Sequence, residues 1–113
     1  MEIIYKTKEL QKCAEIDGYA QKKLGKQQAD KFLRRVGTLI DADSFEDLRH
    51  VPGRFHELTE NRKGQWAFDL VQPSRLIVTP KTRPIATDSQ GKFIWPLIQD
   101  AIIVEIVDYH KKG

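Results

Sequence analysis

The sequence predicts a single α+β domain over residues 1–113: an N-terminal strand, then a helical hairpin packed on one face of a mainly antiparallel, twisted sheet of four to five strands. Three observations lead there. Residues 54–79, RFHELTENRKGQWAFDLVQPSRLIVT, put apolar side chains at every second position (Trp66, Phe68, Leu70) between turn-prone stretches at 60–64 and 73–74, the pattern of a three-stranded antiparallel meander. Residues 29–40 instead repeat apolar groups at i, i+3, i+4, i+7 through Ala29, Phe32, Leu33, Val36, Leu39 and Ile40, a helix with one core-facing stripe. Residues 101–109 are nearly continuous in Ile and Val, the composition of a central strand buried on both faces.

Each element follows in order. Ile3, Ile4 and Tyr5 form a short β-favouring run, an opening strand. From Thr7, a suitable N-cap, Leu10, Cys13, Ala14, Ala20 and Leu24 recur at helical spacing until Gly25 stops the helix, with Gly18 a weak point that costs about 1 kcal/mol relative to Ala. The helix at 29–40 then returns alongside the first. Ser44, followed three residues later by Asp47, reads as the cap of one short turn through Leu48, and Val51, Pro52 and Gly53 break the chain before the meander. Residues 80–96 hold Pro80, Pro84, an Asp88–Gly91 turn signal and Pro96, so they are expected to form a long loop or lid anchored by Trp95. In the last strand, strict alternation puts Ile102, Val104, Ile106, Asp108 and His110 on one side and Ile103, Glu105, Val107 and Tyr109 on the other.

Composition narrows the function. Charged residues of both signs are plentiful, which disfavours disorder, and no run approaches the roughly 18 apolar residues that span a bilayer. The start, MEIIYKTKEL, lacks the pattern of a secretory signal, and the lone Cys13 can form no internal disulfide; both point to the cytosol. Net charge is only +3, but it is segregated. Residues 6–35 carry nine Lys or Arg against four acids, residues 54–83 six against three, and residues 36–53 one against four. The second basic block coincides with His56, so the meander offers a ribbon of cations and one imidazole to a polyanion.

Residues 54–70, then SRLIVT at 74–79 and the terminal VDYH at 107–110, resemble the RelE/ParE superfamily of bacterial toxins, and within it the HigB-like toxins. The likeness lies in a conjunction: histidine in the first meander strand, R-x-G-x-W at Arg62, Gly64 and Trp66, arginine opening the third strand, and DYH at the end. The resemblance implies a RelE-like toxin of a type II toxin-antitoxin system, which enters the ribosomal decoding site and cuts messenger RNA there. It further implies silencing by a cognate helix-turn-helix antitoxin (HigA-like), through which alone the toxin meets operator DNA. The family's working residues carry over to His56, Asp108, Tyr109 and His110, with Arg75 matching the arginine of the third strand. The segment 80–96 departs from the tight turn of the most compact members, so the finer ribosome-docking residues do not transfer.

The residues support the same chemistry. Cutting RNA without a metal needs a base for a 2′-hydroxyl proton, cations for the charge gathering on phosphate, and an acid for the leaving 5′-oxygen. His56 and His110 are the candidates for the two proton transfers, with base and acid unassigned between them. Arg75 can fork two donors onto a phosphate, and Arg54, Arg62, Lys63, Lys81 and Arg83 are candidate RNA contacts. Tyr109 can stack on a base or donate its hydroxyl, and Asp108 can orient His110. No metal, cofactor or membrane partner is expected, since His56, Asp108 and His110 lack a metal-ligand spacing. Two other readings stay open: a toxin of the same fold that poisons DNA gyrase, and a non-catalytic module that only occupies an antitoxin.

Overall fold

A computed structural model describes residues 1–108. Strand β1 (Glu2–Tyr5) opens the chain and pairs in parallel with the last strand. Thr7 then caps helix α1 (Lys8–Glu15), its hydroxyl accepting from the Leu10 N–H at 3.1 Å. The single helix expected from Thr7 to Gly25 is in fact two. Gly18 takes φ 78°, a left-handed conformation that ends the α1 path, and α2 (Tyr19–Leu24) restarts beyond it.

Gly25, also left-handed in φ, turns the chain into α3 (Lys26–Asp41), which buries Ala29, Phe32, Val36 and Leu39. Phe32 and Leu39 are fully enclosed, and each such side chain contributes about 1.5–3 kcal/mol by leaving water. The stripe is narrower than periodicity predicts. Leu33 and Ile40 are exposed, while Arg35 is buried in their stead. At the following 3-10 turn, Phe45–Leu48, Ser44 makes no side-chain cap; the Asp47 carboxylate instead accepts from the Asp43 N–H at 2.8 Å.

The sheet has five strands in the order β1-β5-β4-β3-β2; β2 (His56–Glu57), β3 (Trp66–Asp69), β4 (Ser74–Thr79) and β5 (Asp100–Asp108) run antiparallel to one another in succession, and only the β1–β5 pair is parallel. The first meander strand is therefore two residues rather than 54–59. Arg54 sits at φ 49°, outside strand geometry, and cannot extend the ladder. Trp66, Phe68, Leu76, Val78 and Ile103 face the helices and join Phe32, Phe45 and Leu48 in one core. Phe45 packs edge-on against Trp66 at 4.9 Å and against Phe55 at 5.1 Å, and Trp66 packs against Trp95 at 5.8 Å. Each pair adds about 0.5–1.5 kcal/mol beyond its buried area.

Strand β5 departs from both expectations made for it. It is central, but only Ala101 and Ile103 are fully buried, and Ile102, Val104 and Ile106 are half-buried. Its alternation also breaks. Ile77 lies opposite Glu105 and Val78 opposite Ile103, so Val104 is the extra residue of a β-bulge and every side chain beyond it changes face. Segment 80–96 is more ordered than a lid: Thr87 bridges Phe93, the Asp88 carboxylate accepts from the Gln90 and Lys92 N–H groups, and Trp95 is buried as expected. Its start is tied down by Asp100, whose carboxylate accepts from the Lys81 and Thr82 N–H groups at 2.9 and 3.0 Å and from the Thr82 hydroxyl. Among the described residues no helix is long and apolar enough to cross a membrane.

Two glycines should respond to alanine with opposite sign. At Gly53, φ is 113° and a Cβ would stand 2.6 Å from the Phe68 ring, so Gly53→Ala should cost about 2–4 kcal/mol. Gly37 lies inside α3 with nothing within 4 Å, so Gly37→Ala should stabilise by about 0.5–1 kcal/mol. Urea unfolding of both variants measures this directly. Asp100 supplies a pH test. Burial pushes its carboxyl up, but the Thr82 hydroxyl and the Thr82 and Lys81 N–H groups outweigh that and hold it below the usual carboxylate range. A group depressed on folding stabilises above its unfolded pKa and loses that contribution as pH falls through the folded value. Asp100→Asn should therefore show a shallower loss of stability below about pH 4 than the parent chain.

Candidate functional site

Strand register decides which side chains meet on the face opposite the helices. His56 lies opposite Ala67, Ala67 opposite Ile77 and Ile77 opposite Glu105, forming one cross-strand row. The next row on the same face is Asp69, Arg75 and Val107. Ala67 and Ile77 are fully buried yet stand outside the helix-side core, so the two rows surround an apolar floor.

Asp69 is the hub of the second row. Its N–H donates to the Gly53 carbonyl at 2.8 Å and its carbonyl accepts from Arg35 Nε at 2.7 Å, which fixes the backbone from both sides. Its carboxylate then takes Arg54 in a two-point contact, Nε to Oδ2 at 2.6 Å and Nη2 to Oδ1 at 3.3 Å, while Arg75 Nε lies 3.5 Å from Oδ1. That bond to Asp69 raises the Arg54 pKa, and burial lowers that of Arg35, whose guanidinium lies 5.2 Å over the Phe68 ring. Both groups remain charged across the working pH range.

His56 is half-buried, and its Nδ1 lies 2.6 Å from the Arg54 carbonyl oxygen. A carbonyl can only accept, so Nδ1 carries the proton and the neutral ring keeps its lone pair on Nε2. An imidazole held this way is prepared to take a proton at Nε2.

The other predicted contacts divide. Arg62 closes the first row, donating from Nη1 to Gln65 Oε1 at 2.7 Å and from Nη2 to Glu105 Oε2 at 3.0 Å. Arg83 donates to the Thr79 hydroxyl at 2.6 Å, and that hydroxyl donates to the Gly64 carbonyl at 2.7 Å, so Arg83 braces the turn after Arg62. Lys63 lies in a groove at the β2 edge. Lys81 is remote: its ammonium pairs with Glu2 at 3.1 Å on β1, the opposite sheet edge, four strand spacings or about 19 Å from β2. Asp108 stands opposite Ser74, and the bulge places it on the helix side, out of the row that holds Arg75. Tyr109 and His110 lie outside the described residues.

The structure adds two carboxylates that the sequence analysis passed over, Asp69 and Glu105. Glu105 carries its own signal in the sequence, because an acid enclosed between Val104 and Ile106 in the middle of an Ile/Val strand requires a cationic partner. Among the described residues no group of three or more His, Cys, Asp or Glu is placed to hold a metal ion. No family model matches the chain, and no curated protein matches it.

Asp69 both orients and occupies two guanidiniums, which gives a paired expectation. Asp69→Asn should lower unfolding free energy by about 1–3 kcal/mol and, by removing one negative charge from the arginine face, tighten binding of a labelled polyanion such as heparin. Urea unfolding and fluorescence anisotropy measure the two effects. Weaker polyanion binding by a folded variant would show that Asp69 matters through arginine placement rather than through charge.

Proposed function

We propose that this chain is the toxin of a type II toxin-antitoxin system, a ribosome-dependent endonuclease of messenger RNA that acts in the cytoplasm without a metal. One observation carries the proposal: His56, with Nδ1 committed to the Arg54 carbonyl and Nε2 available, sits on the sheet face that also holds Arg54, Arg62 and Arg75. The likeness to RelE/ParE toxins read from the sequence supports the same conclusion, and the α+β fold agrees with it.

In this reading His56 Nε2 removes the proton of a 2′-hydroxyl, and the O2′ attacks the adjacent phosphorus. The P–O5′ bond breaks, leaving a 2′,3′-cyclic phosphate and a 5′-hydroxyl. His110 protonates the departing O5′, and Tyr109 stacks on or hydrogen-bonds the substrate, while Asp108, on the helix side, takes no part in the step. Arg75 and Arg54 stabilise the negative charge that builds on the non-bridging oxygens, the task to which planar guanidinium forks are best matched. The ribosome supplies the positioned message. A helix-turn-helix antitoxin holds the toxin silent and provides its only link to operator DNA.

Brief induction in cells, with message ends mapped, provides the test. The parent chain should cut within reading frames, and His56→Ala or His110→Ala should each slow cutting by about 10²–10⁴-fold while far-UV circular dichroism stays unchanged. Growth arrest by the double variant at full strength would point instead to a gyrase poison. Harmless expression of the parent chain, with tight antitoxin capture, would point to a binding module.

A further inference from the structure

Beside the His56 face, on the other side of the two-residue strand β2, lies a groove of about 480 Å³ lined by Arg49, Glu57, Lys63, Lys92, Phe93 and Trp95. Three cations from three separate segments converge there, Arg49 from beyond the first 3-10 turn, Lys63 from the turn after β2 and Lys92 from the 88–92 turn. The single acid is already engaged, since Glu57 Oε1 accepts from Trp95 Nε1 at 2.9 Å. Among the described residues the ammonium groups of Lys63 and Lys92 enter no ion pair, and both side chains are exposed.

The floor is built for a flat ligand. Arg49 Cζ sits 3.9 Å from the centroid of the Trp95 ring, and its Nε donates to Glu46 at 2.7 Å, so the guanidinium is held over the indole by two contacts. Trp95 is buried and Arg49 exposed, which leaves the outer face of the guanidinium toward solvent as a stacking platform. Phe93 forms a second apolar wall.

We infer that this groove is a second nucleotide subsite, in which a base stacks on the Trp95-supported guanidinium of Arg49 while Lys63 and Lys92 hold the attached phosphate. The inference rests on the RNA reading above and specifies it further. Successive residues of a strand point to opposite faces, so His56 addresses the arginine face and Glu57 the groove. An RNA strand crossing the free edge of β2 thus passes from one site to the other, and no other strand covers that edge among the described residues.

The test uses 5′-fluorescein 2′-O-methyl hexauridylate, which cannot be cut, and anisotropy over a range of salt. Lys63→Gln with Lys92→Gln should weaken binding roughly tenfold and reduce the slope of log K against log salt by about 1.4, as expected for two lost phosphate contacts. Arg49→Lys keeps the charge and loses the plane, so it should weaken binding with an unchanged slope. Lys6→Gln with Lys8→Gln makes the same charge change near the opposite sheet edge and should leave affinity near that of the parent chain. Binding by the Lys63/Lys92 variant equal to the parent's, or weakened no more than in the Lys6/Lys8 control, would overturn the subsite and leave the nuclease reading standing. So would failure of the parent chain to bind while it still cuts messages in cells. Absence of both binding and cutting would remove the two together. Preferential binding of a polyglutamate peptide would overturn the subsite in favour of an acidic protein partner.

Discussion

Arg35 Nε donates to the Asp69 carbonyl at 2.7 Å from inside the helical layer, and the Asp69 carboxylate receives Arg54 on the far side of the sheet. One residue therefore fastens the core to the cationic face. Arg35 is 5% exposed, and a guanidinium so placed needs a partner, because an unsatisfied buried charge costs several kcal/mol. Helix α3 can settle on the sheet only where that partner is presented. Gly53 is part of the same constraint. Its left-handed turn brings the Gly53 carbonyl to the Asp69 N–H and leaves room for the Phe68 ring and the Arg35 guanidinium where any side chain would collide.

The site inherits its geometry from this fastening. Because Gly53 and Asp69 are bonded through their backbones, Arg54 emerges beside the Asp69 carboxylate, and its own carbonyl is turned toward His56 Nδ1. The tautomer that leaves His56 Nε2 available is thus traced, through Arg54, to a glycine in a turn. The bulge at Val104 acts in the same way on the other flank. It moves Glu105 from the core side to the row of His56, where it can receive Arg62, and it sends Asp108 to the helix side.

Much of the architecture was legible because it is written in local periodicity. Alternation at Trp66, Phe68 and Leu70, the 3.6-residue stripe of α3, and the Ile/Val run of β5 each name an element without reference to the rest of the chain. What periodicity misses is long-range. Nothing near Arg35 in sequence announces that it will turn inward while Leu33 stays exposed; that exchange is dictated by the Asp69 carbonyl, 34 residues away. The bulge is equally silent, since Val104 differs in no way from its neighbours and its role is fixed by pairing with β4. The basic block that holds Lys81 suggests an RNA contact, yet Asp100 and Glu2 draw it to the other edge.

The chemistry of the cations explains why the arginine face relies on paired carboxylates without being neutralised by them. Arg54 gives Nε and Nη2 to Asp69, and a guanidinium has five N–H donors, so the group is held in one plane while donors on Nη1 remain for a ligand. A lysine in that position would surrender its orientation with its only nitrogen. The same logic separates the two sides of β2. On the arginine face, carboxylates preset the forks, which suits a charge that appears only as a bond breaks. In the groove, Lys63 and Lys92 carry no such partner among the described residues and can follow a ground-state phosphate as it settles. Orientation and attraction are thus assigned to different residue types on adjoining surfaces, and a strand two residues long is what keeps them adjacent.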